Sequence, residues 1–265
     1  MLKNSTAINS HPDAHPCKVC EHPAPFWEAC DFSTHCERLR SPALAIEPSG
    51  ISVPYYRCGD CGFVFTPFMD EFSDDDFKTR IYNQDYVRFD PGFDGDRAAY
   101  QGRMLVDSFG TEPITLCDYG GGRGHLAEFI NTSSARMRAV SWDPYFDRAE
   151  RPQARFDMVV SYEVFEHSTN PRATFEDMLS FCDENRVLLM TTLCQPPDIE
   201  QIKTGWWYCA PRNAHISLHT RRSLQWLADQ AGLGVMHLED GISIDGVHLF
   251  YDRIPAWLAP KLGVA

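Results

Sequence analysis

In the stretch LCDYGGGRG, residues 116–124, Asp118, Gly120, Gly122 and Gly124 spell D-x-G-x-G-x-G directly after a short apolar run. Glycine at alternate positions lets a backbone turn sharply out of a strand and approach a ligand closely, and the HLAEFI that follows reads as the opening turns of a helix. That is the layout of a loop for a nucleotide-type ligand. Two common loops of this kind do not fit. Counting from Gly120, the dinucleotide pattern G-x-G-x-x-G needs a glycine where His125 stands, and no Lys-Ser/Thr pair follows as a phosphate loop requires. A second chemistry is written in two C-x-x-C pairs, Cys17 with Cys20 and Cys58 with Cys61. Four thiolates suit tetrahedral Zn²⁺, and Gly59 and Gly62 relieve the tight turn of the second pair. Structural zinc is the expectation, although the 37 intervening residues exceed the usual ribbon spacing, and Cys30, His35 and Cys36 lie between the pairs as substitute ligands. Cys117, Cys182, Cys194 and Cys209 are scattered and read as small buried apolar residues.

These residues need elements to hold them. Residues 1–16 are polar and aperiodic, a mobile tail. Residues 17–69, loop-rich with strands at 53–57 and 63–66, make a zinc-binding module. Residues 70–96, acidic and aromatic, read as a helical linker built from short helices. From 97 to 265 strand and helix signals alternate, which predicts a parallel sheet covered by helices. A helical pattern at 97–109 leads into strands at 114–118, 138–142, 156–161 and 186–192, with helices at 171–181 and 220–231. Two final strands, 234–244 and 247–254, flank an Asp245-Gly246 turn.

The 265 residues carry a formal net charge of −13, with 43% hydrophobic residues for a core. Nucleic acid is not an expected partner, because its electrostatic footprint would be a basic stripe. No run approaches the length of a membrane span and the first residues lack an apolar leader core, so no membrane partner and a cytoplasmic, soluble protein are expected.

The glycine loop resembles motif I of the class I S-adenosylmethionine-dependent methyltransferases, and FDMVVSYEVFEH, residues 156–167, resembles their motif IV. WWYCAPRNAHISLHTRRSLQWLADQAGL, residues 206–233, is similar to the bacterial branch that methylates small molecules and sugars and carries an N-terminal zinc-binding segment. The resemblance spans nearly the whole chain. It implies an α/β fold: a Rossmann-like, mostly parallel sheet with an antiparallel C-terminal edge hairpin and a small zinc-ribbon-like module. It also implies a cofactor, S-adenosylmethionine, held by Asp118, Gly120, Gly121, Gly122 and Gly124. Asp143, 19 residues beyond Gly124 with Pro144 beside it, accepts the ribose hydroxyls, and Ser161, Tyr162 and Glu163 leave their strand alongside. Only 12 residues separate Asp143 from Phe156, so the third strand of the family sheet is expected to be missing or rudimentary, with Tyr145 and Phe146 covering the adenine.

Methyl transfer from a sulfonium is an in-line displacement, so alignment and exclusion of water supply most of the rate and a base is optional. The candidate bases are His215 first, then His167 with Glu166 beside it; His219 reads as structural. Glu163-x-x-Glu166-His167 also resembles the divalent-metal site of ubiquinone-pathway O-methyltransferases, where Mg²⁺ would sit. The same Glu-His pair occurs in metal-free methyltransferases, which ranks Mg²⁺ below a metal-free reaction. Trp206, Trp207 and Tyr208 could stack on a sugar or aromatic acceptor. The sequence therefore predicts O- or C-methylation of a small-molecule or sugar acceptor. Its rivals are a non-catalytic domain presenting the zinc module to a partner, which the intact loop disfavours, and an RNA- or protein-directed methyltransferase, which the acidity disfavours. Acceptor identity and oligomeric state are not written in the sequence.

Overall fold

Short apolar runs, buried along most of their length, set the central strands of the larger sheet. The computed structural model describes residues 11–41, 44, 46–92, 95–145, 150–238 and 246–263. In chain order the elements are β1 (Ala14–Pro16), β2 (Pro23–Asp31), β3 (Ser52–Arg57), β4 (Val64–Phe65), the helical turn α1 (Asp74–Asp76), α2 (Asp96–Phe109), β5 (Thr115–Tyr119), α3 (His125–Ser133), β6 (Arg138–Trp142), β7 (Met158–Tyr162), α4 (Pro171–Leu179), β8 (Leu188–Thr191), α5 (Ile199–Ile202), β9 (Ser217–Leu218), α6 (Arg221–Ala231), β10 (Gly234–Leu238) and β11 (Val247–Tyr251). Pro171 opens α4 while the Asn170 side chain accepts from Ala173 N, and Thr220 and Ser223 cap α6 reciprocally.

The larger sheet has the order β10-β11-β8-β7-β5-β6, parallel from β8 to β6 and antiparallel at the β10–β11 edge. The predicted mixed sheet and terminal hairpin are present, with shorter strands; the turn residue Asp245 lies outside the described residues. β6 is the edge, and among the described residues no strand follows it before β7. Instead Arg151 folds back over that edge. Its guanidinium sits 4.9 Å from the Trp142 ring and 4.2 Å from the Phe181 ring, and pairs with Asp177 at 2.6 Å. The short link after Asp143 thus closes the edge with a cation over aromatic faces instead of a strand.

The smaller sheet, β1-β2-β3-β4-β9, is antiparallel throughout and corrects three expectations. The tail is shorter than 1–16, because Ala14–Pro16 pairs with Pro23–Pro25. The cysteine segment is not a separate body, since its last strand, β9, comes from far down the chain, where Val64 pairs with Leu218. One apolar cluster joins the cysteines to Val159, Leu188 and Phe250 of the larger sheet. The stretch 70–96 is not a mere link. Phe77, Ile81 and Tyr86 bury themselves against Ala214 and Ile216 and form a wall. The sequence gives little sign of a two-residue strand such as β9, which no turn chemistry announces. Among the described residues no helix is long and apolar enough to cross a membrane.

Candidate functional site

The carboxyl ends of β5, β6, β7 and β8 open into a cavity of about 660 Å³. On its β5–β6 side the glycine loop supplies backbone. A Cβ at Gly121 would lie 2.0 Å from Asp118 Oδ2 and 2.2 Å from Ser141 Oγ, so no other residue fits there. Asp118 is buried, accepts from Ser141 Oγ at 3.3 Å, and is pushed up to about 7, chiefly by loss of water. Asp143 accepts from Gly122 N at 3.0 Å and Tyr145 N at 2.8 Å, tying the end of β6 to the loop. Each carboxylate oxygen keeps a lone pair for a further donor.

Asp118, Gly120, Gly121, Gly122, Asp143, Pro144, Tyr162 and Glu163 all line the cavity, as does Tyr145. Phe146 lies outside the described residues. Ser161 and Gly124 do not reach the lining. Along β7 successive side chains face opposite ways, so Ser161 is buried beneath while Tyr162 faces the opening. Gly124, at φ 80°, makes the turn into α3.

The β7–β8 side is built from side chains. Glu163 leaves β7 at φ 54°, a region that costs a non-glycine residue about 1 kcal/mol. Its backbone N donates to Thr191 Oγ1 at 3.0 Å, and that hydroxyl donates to Glu163 Oε1 at 2.8 Å. Burial, then the neighbouring Glu166, pushes its carboxyl up to about 7. Glu166 is fully buried and neither oxygen has a hydrogen-bond partner; burial raises it to about 7 against the opposing Tyr208 and Thr192 hydroxyls. His167 and His215 meet edge to face, ring centres 5.0 Å apart, and burial lowers both imidazoles. The three residues predicted to be catalytic therefore come together, whereas the expected set of Glu163, Glu166 and His167 does not converge. Glu163 is drawn off by Thr191, and among the described residues the converging group is Glu166, His167 and His215.

His219 is structural: fully buried, stacked on Phe165 with centres 4.5 Å apart and bonded to Ser223 at 3.2 Å. Trp207 and Tyr208 line the cavity; Trp206 does not reach the lining and packs behind Tyr208, ring centres 5.3 Å apart. The wall that sequence reasoning missed carries Phe77, Tyr82, Tyr86, Phe89 and Arg97, the last paired with Asp90, and from the cysteine segment Cys36 and Arg40. The dense aromatic and acidic composition of 70–95 was the available signal, and a linker reading passed over it.

Cys17, Cys20, Cys58 and Cys61 are all buried, with Sγ–Sγ distances of 3.4–3.6 Å where a contact is made. The two pairs are built alike. Cys17 N donates to His22 O and Glu21 N to Cys17 O; Cys58 N donates to Phe63 O and Gly62 N to Cys58 O, with φ 65° at Glu21 and 74° at Gly62. Zn–S bonds of about 2.3 Å put tetrahedral sulfurs about 3.8 Å apart, so the cluster fits zinc after a small expansion. The contact between Cys17 and Cys61 pulls the Cys17 thiol down to about 5 and pushes that of Cys61 up, while burial raises Cys20 to about 11. Cys30, His35 and Cys36 are not part of it. Thr220 Oγ1 donates to Cys61 O at 2.6 Å, locking the second pair onto the cap of α6.

Residues 96–238 match a family described as a methyltransferase domain. No curated protein matches the sequence. Among solved structures the chain is similar to an O-methyltransferase family protein from Burkholderia thailandensis (15% identity, 60% of this chain and 58% of that one, TM-score 0.44). It is also similar to the mitomycin 7-O-methyltransferase (12%, 64% and 57%, 0.46). A third is the plantazolicin methyltransferase in complex with a monoazolic desmethylPZN analog and SAH (12%, 64% and 91%, 0.43). The chain thus spans under three-fifths of the length of the first two.

Proposed function

From a chain that belongs to the methyltransferase-domain family, we propose transfer of a methyl group from S-adenosylmethionine to a small-molecule or sugar acceptor bound in the same cleft. The observation that carries this reading is one cavity lined on one side by the glycine loop and on the other by Glu166, His167 and His215. The glycine loop fits the cofactor, since Gly120, Gly121 and Gly122 bring backbone to the cavity and a Cβ at Gly122 would meet nothing within 4 Å. Asp118, Gly120, Gly121 and Gly122 would hold it, with Asp143 and Pro144 at the ribose and adenine and Tyr162 beside them. When bound, the cofactor supplies a methyl on a sulfonium, which makes the donor's leaving group a neutral thioether.

The chain's own residues have three tasks. The Phe77, Tyr82, Tyr86 and Phe89 wall excludes water, which strengthens the electrostatics inside and prevents hydrolysis. Trp207 and Tyr208 offer flat faces to an acceptor ring. Glu166, His167 and His215 present lone pairs that take the acceptor's proton as its oxygen or carbon is methylated. Zinc at Cys17, Cys20, Cys58 and Cys61 is part of the same reading, as a structural ion that holds the smaller sheet on the larger.

Calorimetry with S-adenosylmethionine and its demethylated product tests the proposal: micromolar binding of both is expected, and absence of binding at millimolar ligand would sink it. Elemental analysis of the same samples is expected to find zinc, which Cys58→Ser lowers by about one ion per chain. A folded, zinc-free wild type would remove the structural ion.

A further inference from the structure

His167 and His215 turn the same ring nitrogen toward the backbone. His167 Nδ1 lies 3.2 Å from Ala214 O and His215 Nδ1 lies 2.8 Å from Tyr208 O. A carbonyl can only accept, so Nδ1 carries the proton in each neutral ring and Nε2 keeps its lone pair, that of His215 lying 4.0 Å from the Cys36 thiol. That is the arrangement by which outer partners fix an imidazole as a metal ligand. Ala214 adopts φ 61°, a strained left-handed conformation for alanine, and its carbonyl is the one His167 uses. Tyr55 Oη donates to the backbone oxygen of His215 at 2.8 Å, holding that segment from the other side.

Glu166 completes the group. Its side chain is fully buried, both oxygens lack a hydrogen-bond partner, and Oε1 is 3.8 Å from His167 Nε2. One ligand atom each from Glu166, His167 and His215 falls within 4.8 Å of the others. Three acceptors therefore converge, with the Tyr208 and Thr192 hydroxyls beside Glu166 and the Cys36 thiol 3.6–4.0 Å from the His215 ring nitrogens, and the nearby Arg97 is engaged by Asp90. A buried acceptor without a well-formed hydrogen bond is costly, more so when charged, and a cation at the centre offsets that cost for the three groups together.

We propose that Glu166, His167 and His215 form a binding site for one divalent transition-metal ion, with open coordination positions facing the cleft. Bonds of about 2.1 Å place neighbouring ligand atoms about 3.0–3.4 Å apart, so small side-chain rotations close the site. Two imidazoles with one carboxylate select Mn²⁺, Fe²⁺, Co²⁺ or Zn²⁺, while Mg²⁺, which prefers oxygen, is disfavoured. Glu163 stays outside, bound to Thr191. The site extends the methyl-transfer reading but does not rest on it: the ion and the acceptor's proton compete for the same lone pairs, and ion binding needs neither cofactor nor acceptor.

The test uses the full chain, dialysed free of loosely held metal and titrated with Mn²⁺ alone, with free Mn²⁺ read by electron paramagnetic resonance. The cysteine cluster takes Mn²⁺ poorly, so the titration reports on nitrogen and oxygen ligands. One Mn²⁺ per chain is expected, with ¹⁴N couplings from two imidazoles. Glu166→Gln and His167→Asn are each expected to weaken binding at least about tenfold, with circular dichroism confirming the fold. Wild-type protein that binds no Mn²⁺, bound Mn²⁺ without ¹⁴N couplings, or folded variants that bind as wild type would each overturn the site, whatever the cofactor calorimetry shows.

Discussion

The two sides of the cleft are made in opposite ways. On the β5–β6 side the working groups are backbone amides and two carboxylates from one continuous stretch, Leu116 to Asp143, and the side chain that matters most at Gly121 is the one that is absent. On the β7–β8 side, Cys36, Tyr82, Asp90, Glu166, Tyr208 and His215 arrive from distant parts of the chain to line the same cavity. A ligand shared by many enzymes can be met by a local backbone motif. A particular acceptor needs side chains that only the fold brings together. The difference predicts that damage on one side leaves the other side's ligand nearly untouched.

The largest separation is expected from His215→Ala. Loss of a group that takes the acceptor's proton should lower turnover by about 10²–10⁴-fold, while cofactor affinity by calorimetry stays within about twofold. A parallel fall in cofactor affinity would show that the sides are not separable, and unchanged turnover would take His215 out of the reaction. From the other side, Gly121→Ala drives a Cβ to 2.0 Å from Asp118 Oδ2 and must displace the loop. The displaced loop is expected to bind the cofactor much more weakly than wild type does. Gly122→Ala is the internal control: a Cβ there meets nothing within 4 Å, and only its φ of 55° opposes it, so its loss is about tenfold. Equal losses at the two glycines would mean that conformation, not space, sets the loop.

What the sequence showed follows the same division. The glycine loop, the placement of Asp143 at the end of β6 and the parallel strands were legible because each is a matter of spacing within a few residues. The cysteine pairs were legible for the same reason, and the matching hydrogen bonds at Glu21 and Gly62 show why their local turns are alike. That Ser161 is buried and does not reach the cavity lining was not legible, because a strand's two faces cannot be told apart by type when both are buried. β9 was not legible, and the aromatic wall was legible only as an unusual composition over 70–95. Tyr82 and Tyr86 read as parts of a linker until Ala214 and Ile216 are placed against their segment, and that contact spans well over a hundred residues.

The smallest effect concerns Asp118, where the backbone side nevertheless depends on one buried charge. Its side chain is 3% exposed, and burial holds its carboxyl at about 7 against an ordinary 3.8, with the Ser141 bond opposing and the Asp143 charge adding to the rise. Below 3.8 the carboxyl is neutral in folded and unfolded chain alike and contributes nothing to the pH dependence. Between 3.8 and about 7 the unfolded chain releases the proton while the folded chain keeps it, so the folded state loses stability as pH rises; above about 7 the loss is complete. Asp118→Asn cannot ionise and can still accept from Ser141. In ligand-free melts its advantage over wild type should therefore be least near pH 4 and grow to several degrees by pH 8, with the buried histidines contributing equally to both proteins and cancelling. A difference that stays flat across that range would mean that the Asp118 carboxylate is solvated after all, and that the β5–β6 side relies on backbone alone.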